Sequence, residues 1–174
     1  MSRTPRRRSV AKRGVAVTPK TRPKAVVAAE GARVAIVRAR WNDDVTRRLA
    51  RSAVRIAKGH GAHIRHFEVA GSFELPTAVA LLARSGRYDA VVPVGCLIRG
   101  ETAHFDVLAN AVCRALLDIG IETAVAIPFG VLACDTVTQA LARSGGEAGD
   151  AGAEAMVAAL ELVALRRRTV RHPT

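Results

Sequence analysis

The sequence has 174 residues, 49% of them apolar but only 3% aromatic, which suits one domain with a core of Ala, Val, Leu and Ile. Its formal charge of +12 is confined to the ends: residues 1–24 carry nine Lys or Arg and no acid, and residues 166–174 add four. The remainder holds 14 basic and 15 acidic residues and no charge-free apolar run of about 18, which excludes a membrane span and leaves only nonspecific attraction of nucleic acid to the basic arm.

The arm 1–24, with Pro5, Pro19 and Pro23, is expected to be disordered, and it lacks the apolar centre of a secretory signal. A folded domain over 25–165 follows, and 166–174 forms a basic tail. "ARVAIVRA" (32–39) predicts a first strand, and Asn42 or Asp43 caps a helix that runs to Gly59. "AHIRHFEV" (62–69) predicts the second strand and "FELPTAVALLARSG" (73–86) the second helix. "YDAVVPVG" (88–95) gives the third strand and "AHFDVLANAVCRALLDIG" (103–120) the third helix. "TAVAIPFGVL" (123–132) gives the fourth strand, and the stretches 135–145 and 152–168 give two closing helices. Strands alternating with helices imply a four-stranded parallel sheet covered on both faces. Ligands of such sheets bind at the carboxyl ends of the strands. The motifs "RWND", "AGSFELP", "GCLIRGETAH" and "PFGVLACDT" all fall at those ends.

"GCLIRGET" (95–102) comes close to the phosphate loop of nucleoside triphosphatases, but Glu101 stands where that loop needs a lysine. A glutamate would repel a triphosphate. The backbone remains suitable: amides of Gly100, Glu101 and Thr102 at a helix N-terminus can hold a monophosphate, or simply form a capped turn. His104 follows at once, either as a structural side chain or as an acid–base group beside an anion. Trp41, the one tryptophan, is either core or a stacking platform for a heterocycle. Arg143 near the end of the fourth helix either answers the helix dipole or grips a phosphate. His60, His63 and His66 straddle a helix end, a turn and a strand, so no metal site is expected. Cys96, Cys113 and Cys134 form no CxxC pair, which suits a reduced, cytoplasmic chain.

Taken together, "ARWND", "GSFELP", "GCLIRGETAHFD", "IPFGVLACDT" and "QALARSGGEAGDAG" resemble the lumazine synthase family of riboflavin biosynthesis over residues 33–165. The resemblance implies a flavodoxin-like three-layer sandwich, needing no cofactor and no metal. It implies condensation of 5-amino-6-(D-ribitylamino)uracil with 3,4-dihydroxy-2-butanone 4-phosphate to 6,7-dimethyl-8-ribityllumazine, phosphate and water. By that resemblance Trp41 stacks on the pyrimidine, and Ser72, Phe73 and Glu74 meet the uracil and ribityl groups. Cys96, Leu97 and Ile98 line the heterocycle edge, and His104 moves protons. Gly100, Glu101 and Thr102 hold the phosphate by their amides. Phe129 and Arg143 are implied to come from a neighbouring subunit of a pentamer, closed in some members into a shell of sixty. Family lysines are replaced here by Glu147 and Ala151. The rival is a flavodoxin-like module that binds flavin or lumazine without catalysis, and it would need neither His104 nor Arg143.

Overall fold

The computed structural model describes residues 29–171, so the basic arm and the last three residues lie outside the described residues. Four parallel strands form one sheet in the order β2-β1-β3-β4: β1 Arg33–Ala39, β2 His63–Val69, β3 Ala90–Ile98 and β4 Gly130–Cys134. Five helices join and cover them: α1 Asp43–Gly59, α2 Leu75–Arg84, α3 His104–Thr123, α4 Val137–Arg143 and α5 Ala151–Arg171. This is the parallel sheet covered on both faces expected from the alternation of strands and helices, and it is consistent with the flavodoxin-like three-layer sandwich that the family resemblance implies.

The period-two pattern of the strands decides which residue meets which layer. Val34 and Ile36 of β1, with Val92 and Val94 of β3, pack against Leu49 and Ala53 of α1 and Met156 and Leu160 of α5. Their alternates Ala35, Val37 and Val91 pack against Val79 of α2 and Val112 and Leu116 of α3. β3 is buried on both faces and is apolar throughout, as a central parallel strand must be. On α5, a Cβ at Gly152 would overlap the Leu49 backbone, so glycine there sets how closely α5 approaches α1.

Four features differ from the sequence expectation. The fourth strand is interrupted: Ala126 makes an isolated bridge to Ala90, and the ladder resumes only at Gly130 opposite Val94. Pro93 of β3 and Pro128 both fall in the gap, and neither has an amide hydrogen for a ladder bond. β3 continues through Cys96, Leu97 and Ile98, which were expected to be loop, because β4 pairs with it as far as Cys134. A small hairpin, β5 Ser144–Gly146 with β6 Gly149–Asp150, fills the connection before α5. α5 also runs on through Arg166–Arg168 to Arg171, and Arg167 donates to the Glu30 carbonyl at 3.0 Å.

Candidate functional site

The carboxyl ends of β1, β2 and β3 gather most of the expected residues. Trp41 follows β1 and is 75% exposed, a placement suited to contact with a ligand and not to the core. Its amide donates to the Ala70 carbonyl at 3.1 Å, and the preceding Arg40 amide donates to Val69 at 2.9 Å. Asn42, at the start of α1, does not cap the helix with its side chain. It adopts a left-handed conformation (φ 56°), and its Nδ2 donates to the Cys96 carbonyl at 2.8 Å. The Trp41 loop is thereby tied to β2 on one side and β3 on the other.

Beneath the tryptophan lies the turn Gly71–Glu74. The Trp41 ring covers Gly71, whose Cβ position is 3.9 Å from Trp41 Cδ2. Ser72–Glu74 form a single 3-10 turn that presents Phe73 to solvent. Glu74 Oε2 accepts from the Gly71 amide at 2.8 Å, so one carboxylate oxygen shapes the turn. Ser72 is buried at the turn's start, against β3. A Cβ at Gly95 would sit 2.7 Å from Ser72 Oγ and 2.8 Å from Leu75 Cδ1, so only glycine lets this turn seat on the strand.

Past β3 the chain runs exposed through Gly100, Glu101 and Thr102 before α3 begins at His104. Ala103 occupies the N-cap position and offers no side-chain cap. The amides of Glu101, Thr102 and Ala103 donate to no protein acceptor among the described residues. Open amides at the positive end of a 20-residue helix are suited to an oxyanion. His104, exposed, is the first residue of that helix.

Arg99, which the sequence reading did not single out, braces this loop. Its Nη1 and Nη2 donate to both oxygens of Asp106 at 2.8 and 2.9 Å, and its Nε to Asp135 at 2.7 Å. Its guanidinium lies 4.2 Å from the centre of the Phe105 ring. The bond from Arg99 holds the Asp106 carboxyl below the usual carboxylate range. Asp135 is 36 residues away in sequence, so no local spacing announces the pair. Cys96 is buried at the base of the site. Burial, with a smaller contribution from Cys134, pushes its thiol up to about 12, so it stays protonated at neutral pH and serves as a packed apolar group.

Phe129 and Arg143 lie apart from this group. Phe129 is 52% exposed beside edge strand β4, level in register with Pro93 and hence with Val37. That is four residues below Trp41 and two strands across, roughly 13 Å down and 10 Å sideways. Arg143 ends α4, with Glu154 3.9 Å from its Nη2, and its buried Nε has no partner among the described residues. One cavity of about 370 Å³ lies at the opposite end of the sheet, lined by Arg33, Arg84, Tyr88 and Arg166 among others. Another of about 270 Å³ lies beside β2, lined by residues including Arg38, Arg47, His66 and Glu68. His60 closes α1 while His63 and His66 lie on β2, and no cluster of three His, Cys, Asp or Glu suited to a metal exists among the described residues.

Comparison with known proteins decides the family. A sequence profile described as 6,7-dimethyl-8-ribityllumazine synthase matches residues 31–167. The chain belongs to the 6,7-dimethyl-8-ribityllumazine synthase family. The protein of that name from Corynebacterium glutamicum (strain R) is 46% identical over 135 residues, covering 76% of this chain and 84% of that protein. One from Corynebacterium efficiens is 47% identical with the same coverage, and one from Anaeromyxobacter sp. (strain Fw109-5) is 42% identical over 149 residues, 84% of this chain and 91% of the relative. All five motifs that suggested lumazine synthase lie inside the matched stretch. The matched stretch also includes the hairpin β5–β6 and the helical turn containing Arg166 and Arg167.

Proposed function

We propose that this chain is a working lumazine synthase of riboflavin biosynthesis. It condenses 5-amino-6-(D-ribitylamino)uracil with 3,4-dihydroxy-2-butanone 4-phosphate, releasing phosphate and water. One observation carries the assignment of the site: a tryptophan platform and an uncapped amide cradle open onto the same end of the sheet, with a histidine on the cradle's next residue. A platform alone would serve a module that merely binds a flavin, whereas the cradle and His104 fit a substrate that loses phosphate.

In this reading Trp41 stacks on the pyrimidine, and Ser72, Phe73 and the free oxygen of Glu74 meet the uracil and ribityl groups. Cys96, Leu97 and Ile98 bound the heterocycle edge. Amides of Gly100, Glu101 and Thr102 hold the phosphate, and the glutamate side chain stays in solvent. The uracil amine attacks the butanone carbonyl, and water leaves as the imine forms. His104 moves protons as phosphate departs, the ring closes and a second water is lost. Preorganised amides and co-positioning of two reactants supply the rest of the rate.

Phe129 and Arg143 complete the pocket of a neighbouring subunit. Two features support this: the exposed phenyl ring, and the Arg143 guanidinium, whose buried Nε has no acceptor among the described residues. With Glu147 and Ala151 beside it, Arg143 carries most of the side-chain positive charge for the phosphate. Exposed Val107, Leu117 and Ile121 share one face of α3, an apolar surface for packing between copies of the chain. We assign a pentamer, with the short "RSGGEAGDAG" connection compatible with closure into a shell of sixty. No helix among the described residues is long and apolar enough to cross a membrane, and three free cysteines suit the cytoplasm. The test is a lumazine-formation assay with both substrates, read by the absorbance of the product. Product formation supports the reading, and ligand binding without turnover would establish the non-catalytic alternative.

A further inference from the structure

We propose that Arg38 is a positioning residue for Trp41, acting through Asp43 and Glu68 to hold the tryptophan platform in place. The proposal rests on the reading of Trp41 as the pyrimidine platform. Arg38 is the one charged side chain among the described buried residues, at 8% exposure. A guanidinium in that position needs acceptors, and the chain supplies three. Its Nη1 donates to Asp43 Oδ1 at 2.5 Å and Thr46 Oγ1 at 3.2 Å, and its Nη2 donates to Glu68 Oε1 at 2.5 Å.

The acceptors come from the two segments that flank the platform. Asp43 and Thr46 lie in the first turn of α1, and Glu68 is the next-to-last residue of β2. Trp41 falls between, three residues after Arg38 and two before Asp43. The backbone bonds from Arg40 to Val69 and from Trp41 to Ala70 continue directly from Glu68. The guanidinium therefore closes a short ring of chain, 38–43 and 68–70, with the indole at its rim. Asn42, left-handed and bonded to the Cys96 carbonyl, adds the tie toward β3. The 270 Å³ cavity lined by Arg38, Arg47 and Glu68 gives these side chains room to reorient if Arg38 is shortened, so the ring would slacken.

A purely structural arginine would lower the melting temperature and leave the platform alone. The two roles separate because Trp41 is the only tryptophan, so its fluorescence reports on that ring alone. In the full chain, Arg38→Met and Arg38→Lys are compared with the parent, well below their melting temperatures. The readouts are the ligand-free anisotropy of Trp41 and the half-saturation for each substrate. Arg38→Met is expected to lower the anisotropy and raise the uracil half-saturation on the order of tenfold, the scale of one charge-assisted bond. The butanone-phosphate half-saturation should hold, and Arg38→Lys should recover part of both losses. Unchanged anisotropy and uracil half-saturation in Arg38→Met would overturn the proposal, whatever happens to stability. If that variant does not fold, Glu68→Gln keeps the Asp43 tie and should show the same anisotropy loss at smaller size; no loss overturns the proposal equally. If the parent chain makes no lumazine, the functional reading fails by itself, while the anisotropy comparison still decides whether Arg38 holds the ring.

Discussion

Trp41, Asn42 and Arg99 are tied by hydrogen bonds to neighbouring strands and helices of their own chain, whereas Phe129 and Arg143 are held far less completely. The first group sits at the ends of the central strands, where neighbouring segments supply partners for the Trp41 loop, Asn42 and Arg99. The second flanks edge strand β4, where Phe129 is exposed and Arg143 keeps a buried Nε without an acceptor among the described residues. A chain commonly satisfies the polar groups it buries, so an unanswered donor marks the place where a ligand or another chain is expected. The contrast gives physical content to the proposal of a shared site: one region is braced within the chain and leaves only its ligand-facing amides open, and the other keeps a buried side-chain donor unanswered.

The largest effect should come from the braced region. His104→Ala is expected to slow lumazine formation by roughly 10- to 10⁴-fold, up to the usual range for an acid–base group, while folding and product binding persist. Steady-state rates with both substrates saturating check this, and an unchanged rate would remove His104 from the chemistry. Arg143→Ala probes the other region and should act on one substrate alone. The half-saturation for butanone phosphate should rise by an amount worth about 1.5–3 kcal/mol, with uracil binding little changed. Equal weakening of both substrates would make Arg143 a structural residue and blur the contrast between the two regions.

The smallest effect concerns the brace on the cradle. Arg99 holds the Asp106 carboxyl below its unfolded value of about 3.9. A depressed folded-state value contributes stability that is fully present above the unfolded value and is lost as pH falls through the folded one. Melting temperature should therefore fall on acidification below about pH 4, and Asp106→Asn should flatten part of that fall while leaving the neutral-pH fold intact. The pair is exposed, so the change should be small. An identical acid limb in Asp106→Asn would show that the brace contributes nothing.

Much of this was legible in the sequence, for reasons that differ from element to element. Strands 1 and 3 announce themselves as short, largely apolar runs rich in Val and Ile because both of their faces are buried. Trp41, "GSFELP" and "GETAH" stood out because polar and glycine-rich motifs interrupt that pattern at the strand ends. The break in the fourth strand depended on Pro93 and Pro128 both falling where the β3–β4 ladder needs amide hydrogens, a coincidence fixed by sheet register and not by either local sequence. Asn42 looked like a helix cap, yet it bonds across to Cys96, 54 residues away. The partners of Arg38 and Arg99 were hidden for the same reason: Glu68 and Asp135 lie 30 and 36 residues from the arginines they hold. Local spacing reports what a helix or strand does to its own neighbours, and these ties are made only when the sheet assembles.

A complementation experiment tests the shared site most directly. His104→Ala and Arg143→Ala chains are each assayed alone, then unfolded together, refolded as a 1:1 mixture and assayed again at limiting butanone phosphate. If each pocket joins His104 of one chain to Arg143 of its neighbour, random mixing restores on the order of a quarter of the sites as intact pairs. The mixture should then form lumazine well above the average of the two separate variants. A mixture no more active than that average would contradict the account and place both residues in the pocket of a single chain.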